Sequence, residues 1–108
     1  MTKDYIFVKV VKLKGDKKKY SAVFKNRKTG RIRNVKFGSN IPYMEDYTIH
    51  KDAERKKRFL DRFNKTIKKN INNPLSPMWW STNLLWNRPS YAASLKDVKI
   101  KLKNLGYL

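Results

Sequence analysis

A formal charge of +19 on 108 residues is the feature that most restricts what this chain can fold into. Lys and Arg number 27 against 8 Asp and Glu, so folding must bring together like charges that repel one another. Only a dense apolar centre offsets that repulsion. A chain of this length buries roughly two-thirds of the surface its unfolded form exposes, enough for one modest core. With 40% hydrophobic residues, that core needs the aromatic side chains, 6 Tyr, 5 Phe and 3 Trp. The same rings argue against a disordered chain, which the charge alone would suggest.

The charge also narrows the function. A polyanion relieves the self-repulsion, so nucleic acid is the first expected partner, ahead of an acidic protein surface or anionic lipid. No Cys is present, which excludes a disulfide framework, a thiolate metal site and a Cys nucleophile. Tyr5, Ile6, Phe7 and Val8 are interrupted by Lys9, far short of a signal-peptide core or the roughly 20 apolar residues of a membrane span. The expectation is a soluble protein, intracellular or packaged in a particle, with no membrane partner. Residues 1–40 hold 13 basic and 2 acidic residues, residues 41–70 hold 9 and 5, and residues 71–108 hold 5 and 1. A polyanion should therefore meet the first third, with the surplus cations gathered on one exterior patch. No internal repeat and no Gly/Ser linker marks a second domain.

Three segments of alternating β-branched and aromatic residues open the chain: Tyr5 to Leu13, Lys18 to Asn26 and Ile32 to Phe37. In the first, strict alternation puts Ile6, Val8 and Val10 on one face and Phe7, Lys9 and Val11 on the other. Gly15-Asp16 is a turn, and Asn26-Arg27-Lys28-Thr29-Gly30 suits a hairpin connection with a left-handed Gly. Next comes an irregular stretch through Pro42, and then a helix over 47–70. Thr48 or His50 is its candidate cap, acidic residues lie in its first turn, and Phe59, Leu60, Phe63 and Ile67 form its buried stripe. Arg55, Lys57, Arg58, Arg62 and Lys65 stay in water. Pro74 to Pro77 breaks the chain before Met78 to Trp86, a short buried helix. Ser90 is a good N-cap for a last helix in which Tyr91, Leu95, Val98, Leu102 and Leu105 form a heptad stripe ending at Gly106. The fold class is α+β: one domain, 1–108, with an N-terminal three-stranded antiparallel sheet (the basic β-meander, 1–38) followed by two or three helices (47–70 and the aromatic, helical part 78–108).

Acid-base chemistry has little to work with. His50 is the one histidine and reads as a capping or packing residue. Glu45, Asp46, Asp52 and Glu54 cluster near it, as a metal-dependent nuclease would require, but Asp52 and Glu54 do not share a helix face and already suit a helix N-terminus. The four glycines stand singly at turns, so there is no phosphate loop. No catalytic residue, metal site, cofactor or small-molecule substrate is expected, and the chain reads as a non-enzyme.

The basic residues carry the positive signal. Lys12, Lys14, Lys17, Lys18, Lys19, Lys25, Arg27, Lys28, Arg31, Arg33 and Lys36, with Arg55, Arg58 and Arg62 of the helix, are the candidate nucleic-acid contacts. Lysine in such excess favours phosphates over bidentate reading of guanine edges, so the binding expected is weakly sequence-specific and strongly salt-dependent. Tyr20, Phe24, Phe37 or Trp79, if exposed, would instead stack on unpaired bases, the signature of an RNA-binding module. Trp79, Trp80 and Trp86 exceed what a short core helix needs and are candidate protein-interface residues, for self-association or for docking on another protein.

Tyr47-Thr48-Ile49-His50-Lys51-Asp52, then Glu54-Arg55-Lys56 and Arg62, and Trp80 with Leu84-Leu85-Trp86-Asn87, Pro89-Ser90 and Ser94, resemble a family of small basic proteins of giant viruses, the nucleocytoplasmic large DNA viruses. The resemblance spans about residues 18–100, including the hairpin and Phe37-Gly38. Ile71 to Pro77 departs from the Trp-Asp-containing linker of the relatives, and a strand is added at the N-terminus. The family carries no firmly assigned activity. What it implies is a viral setting: a protein of the virion core or inner capsid, present in host cytoplasm or viral factory during infection. There it would bind double-stranded DNA and help neutralise and compact the genome. The alternative is a minor capsid or cement protein on acidic surfaces of other virion proteins.

Overall fold

The computed structural model describes residues 3–39 and 47–108, without the side chains of Ser39, Ile49 and His50. Strands β1 (Tyr5–Lys12), β2 (Lys18–Asn26) and β3 (Ile32–Ser39) form an antiparallel meander in the order β1-β2-β3. Helical segments follow: α1 (Tyr47–His50), α2 (Ala53–Arg62), α3 (Asn64–Lys69), α4 (Pro77–Trp80), a π-helical turn over Ser81–Leu85, and α5 (Tyr91–Leu105). This is the expected α+β arrangement, with the helical part in more pieces than the two or three expected. The stretch through Pro42, expected to be irregular, falls largely within residues 40–46, which lie outside the described residues.

The turns form where the sequence supplies their chemistry. The side chain of Asn26 accepts hydrogen bonds from the backbone N–H of Lys28 and Thr29 at 2.9 and 3.0 Å, closing the β2–β3 connection. Asp16 accepts from the Lys18 N–H at 2.9 Å and so fixes the β1–β2 turn.

One expectation fails inside β1. Phe7 pairs with Phe24, yet Lys9 pairs with Val23, so Val8 is an extra residue opposite none. A β-bulge inverts the alternation from that point on. Phe7 and Val10 both face the helices, Val8 is left 48% exposed, and Lys9 joins the outer face.

The core lies between the inner face of the sheet and the layer made by α4, the π turn and α5. Trp80, fully buried, sits at its centre, with ring centroids 5.5 Å from Phe7 and Phe37 and 6.1 Å from Phe24. Its indole N–H donates to the Pro74 carbonyl at 2.6 Å, so the ring is buried without an orphaned donor. The π turn closes with the Trp86 N–H donating to the Ser81 carbonyl at 3.0 Å. Widening the helix there lets the consecutive pair Leu84-Leu85 go inside after the pair Trp79-Trp80. The sheet approaches this turn closely: a Cβ on Gly38, whose φ is +78°, would lie 2.8 Å from Leu85 Cδ1, so only glycine fits.

Helix α5 packs along the sheet through Ser94, Val98 and Leu102, with Leu95, Tyr91 and Leu105 beside them. The heptad stripe is thus used within the chain. Ser90 caps its start and Gly106, at φ 90°, ends it in the left-handed region. Beyond the cap, Tyr107 is buried and its carbonyl accepts the Phe7 N–H at 2.8 Å. The end of the chain thereby covers part of the β1 edge.

The expected 47–70 helix is divided. Asp52, rather than Thr48, caps α2, accepting from the Glu54 N–H at 3.0 Å; the His50 side chain lies outside the described residues. At Phe63 the backbone leaves helical geometry (φ −103°, ψ 15°) before α3 starts at Asn64, a residue whose side chain competes for backbone hydrogen bonds. Neither helix buries a residue. Phe59, Leu60, Phe63 and Ile67, expected inside, are half-buried. The sheet is already covered by α4, the π turn and α5, so α2 meets only the rim of the body, stacking Phe59 on Trp86 at 4.4 Å with an interplanar angle of 3°.

Candidate nucleic-acid interface

The outer face of the sheet is where β-strand parity collects cations. Lys9, Val23 and Asn34 lie in one cross-strand row, Lys25 and Ile32 in the next, and Val11, Ser21 and Lys36 in a third. Ile32 is 57% exposed and β-branched neighbours flank the lysines, giving a cationic face with an apolar grain. Ser21, 2% exposed, is buried on this side and not on the core side. Lys36 crosses the face to reach Asp16 at 2.9 Å. That hydrogen bond holds the Asp16 carboxyl below the ordinary carboxylate range.

The candidate cations do not all join this face. Lys14 and Lys17 are exposed in the β1–β2 connection, while Lys28 and Arg31 belong to the β2–β3 connection. These turns lie at opposite ends of strands eight and nine residues long, roughly 25–30 Å apart. Lys19 and Lys25 have outer-face parity, but Lys12 and Lys18, paired with Tyr20 and Ser39, have core-side parity at the sheet's end. Arg33 also has core-side parity and lies over the Tyr5 ring at 5.7 Å. Arg27 is committed to the fold: its Nε donates to the Lys3 carbonyl at 2.7 Å and its Nη2 to the Gly106 carbonyl at 3.3 Å, clamping both chain ends. Arg55, Arg58 and Arg62 lie on α2, away from the sheet, with Arg62 against the Phe63 ring at 5.2 Å. Lys9 has no outward signal in the sequence, because only the bulge turns it to this face.

The single-patch expectation is therefore corrected. Lys96, Lys99 and Lys103 are exposed on α5, whose opposite side packs on the sheet, so cations occupy both outer surfaces of the layered body. Even so, Lys9, Lys25, Lys28 and Arg31 have no acidic partner among the described residues. The ion pairs found there are Lys36 with Asp16 and Arg88 with Asp97 at 2.6 Å. Asp97 accepts from Arg88 and from Asn87, which lowers its pKa.

The aromatic candidates fall inside. Phe24, Phe37 and Trp80 are fully buried and Trp79 is 3% exposed, which removes them as exposed stacking platforms and removes Trp79 and Trp80 from the interface set. The core consumes these rings: Phe24 and Phe37 from the sheet, with Phe7, enclose Trp80 from the helical layer. Tyr20 is sandwiched between Phe37 and Tyr91 at 5.8 and 5.4 Å, and burial raises the Tyr91 pKa. Of the three tryptophans, Trp86 alone stays half-buried. Among the described residues no group of three His, Asp or Glu side chains is placed to hold a metal ion, and no helix is long and apolar enough to cross a membrane. Glu45 and Asp46 lie outside the described residues.

Residues 8–63, from within β1 through α2, match the model of a family of unknown function, DUF5754. No curated protein and no solved structure matches the chain.

Proposed function

The chain belongs to this family of unknown function, DUF5754, and we propose that it is a non-enzymatic protein that binds duplex DNA by its phosphates. In the viral setting that the resemblance to the giant-virus proteins implies, it would neutralise and help compact a packaged genome. The observation that carries the reading is the set of cations without acidic partners on and around the outer sheet face: Lys9, Lys25, Lys28 and Arg31. A face of lysine point charges suits phosphate oxygens and carries no base code. The longest dimension of the molecule, 42 Å, spans about a dozen base pairs at 3.4 Å each, enough for the six or so phosphates that make binding steeply salt-dependent.

Fluorescence anisotropy with random-sequence duplex DNA tests this. Affinity should be submicromolar at low salt and fall about a thousandfold between 50 and 200 mM salt. Replacing Lys25, Lys28 and Arg31 together by Glu should weaken binding across all sequences and lower the salt slope by about one for each lost contact. The same change at Lys96, Lys99 and Lys103 should do less. Absence of binding at low salt would overturn the proposal, and equal effects of the two triple variants would remove the sheet from it.

A further inference from the structure

Between α3, the π turn and the second half of α5 lies an open groove of about 470 Å³, within the size range of small-molecule sites. Its walls are apolar, from Ile67, Ile71, Met78, Trp79 and Leu105, but four asparagines line it as well: Asn70, Asn72, Asn83 and Asn104. Two of these are tied to the fold. Asn83 donates to the Trp79 carbonyl at 2.8 Å and accepts from Lys101 Nζ, and Asn70 donates to the Thr66 carbonyl at 2.9 Å. Asn72 and Asn104 are exposed and form no side-chain hydrogen bond among the described residues. The Thr82 hydroxyl also lines the groove, buried and without a partner among those residues. Lys101 brings a positive charge, and its hydrogen-bond partner, Asn83, is neutral.

We infer that this groove binds a nucleotide, either free or as an unpaired unit of a strand. A base presents flat apolar faces and an edge of adjacent donors and acceptors. Asparagine amides offer the complementary donor and acceptor side by side, and Lys101 supplies a cation for the phosphate. A neutral sugar fits less well, because it offers the Lys101 ammonium no anion, and the acidic group that feels this charge among the described residues, Asp97, is already engaged by Arg88 and Asn87. The site lies on the helical layer, so it does not rest on duplex binding by the sheet.

Isothermal titration of the full chain with the four mononucleotides, ribose 5-phosphate and a neutral disaccharide tests the assignment, with a short single strand and a duplex in parallel. At least one nucleotide should bind saturably, at least tenfold tighter than ribose 5-phosphate. Asn72→Ala, Asn104→Ala and Lys101→Ala should each weaken it severalfold while leaving duplex affinity unchanged. Binding by both mononucleotide and strand, or by the strand alone, supports the site and says which source supplies the nucleotide. No saturable nucleotide binding, equal affinity for ribose 5-phosphate or the disaccharide, or indifference to all three substitutions overturns it. Duplex binding can persist in each of those cases, so the two proposals fail separately.

Discussion

The layered body and the α2–α3 pair both use a tryptophan to hold a helix in place, and they use it in opposite ways. Trp80 is enclosed by Phe7, Phe24 and Phe37 on the sheet and sits on a segment continuous with the π turn. Trp86, six residues on, stands half-buried at the rim and meets α2 through the one stack on Phe59. Around that stack the Lys56 ammonium donates to the Asn87 carbonyl at 2.6 Å and lies over the Tyr47 ring at 5.1 Å. Both α2 and α5 are amphipathic, yet only α5 buries its stripe. Helical periodicity creates an apolar face but does not supply the surface that covers it, and the stability of a helix in a small protein follows the covering surface.

The largest effect expected from this contrast is at Trp80. Trp80→Ala removes the ring on which three phenylalanines pack and leaves the Pro74 carbonyl without its donor. The expected cost is about 3–5 kcal/mol, a large share of the roughly 5–15 kcal/mol that stabilises a domain of this kind. Chemical denaturation followed by circular dichroism should show most of the cooperative transition lost at room temperature. A variant that unfolds within about 1 kcal/mol of the parent would mean that the body is not organised around this side chain.

Trp86→Ala should act locally. Losing one stacked aromatic pair costs about 0.5–1.5 kcal/mol beyond the area it buries, and that loss should fall on α2 and α3. Hydrogen exchange should show their amides opening while β2 and α5 keep their protection, since regions with few buried contacts open below the global free energy. Equal loss of protection in β2 would break the contrast and make α2 part of the core.

The body was largely legible in the sequence and the rim was not. Strands β2 and β3 follow from plain alternation closed by an Asx turn, and α5 from a stripe between Ser90 and Gly106, because those signals are local. The bulge at Val8 is not local: Val10-Val11 alternates equally well in either phase, and only the pairing with β2 selects one. That selection hid Lys9 and reassigned the faces of β1. The burial of Trp79-Trp80 together with Leu84-Leu85 is not legible from an α-helical period, because it depends on the π turn that follows α4 and brings the second pair round to the same side as the first. The number of cations was legible, but their distribution over two layers, and the use of Arg27 as a clamp, depend on contacts between residues up to 79 apart in sequence. The groove had no sequence signal at all, since its asparagines come from three separate segments.

A smaller effect sharpens the contrast at the start of α2. Asp52 accepts the backbone N–H of Glu54 and, at 3.4 Å, that of Arg55, and its charge faces the positive end of the helix dipole. Asp52→Ala should cost about 1 kcal/mol, and Asp52→Ser should restore most of it, because a hydroxyl accepts the same hydrogen bond. The cost should be felt only in α2: its amides should exchange faster in Asp52→Ala while the denaturation midpoint of the sheet and α5 stays where it was. A helix secured by a buried stripe absorbs the loss of a cap as a small part of its stability, whereas α2, held by one ring stack and one lysine, has little else at its N-terminus. Should the midpoint of the whole chain move with the cap, α2 and the body unfold as one unit and Trp86 couples them more tightly than its exposure implies.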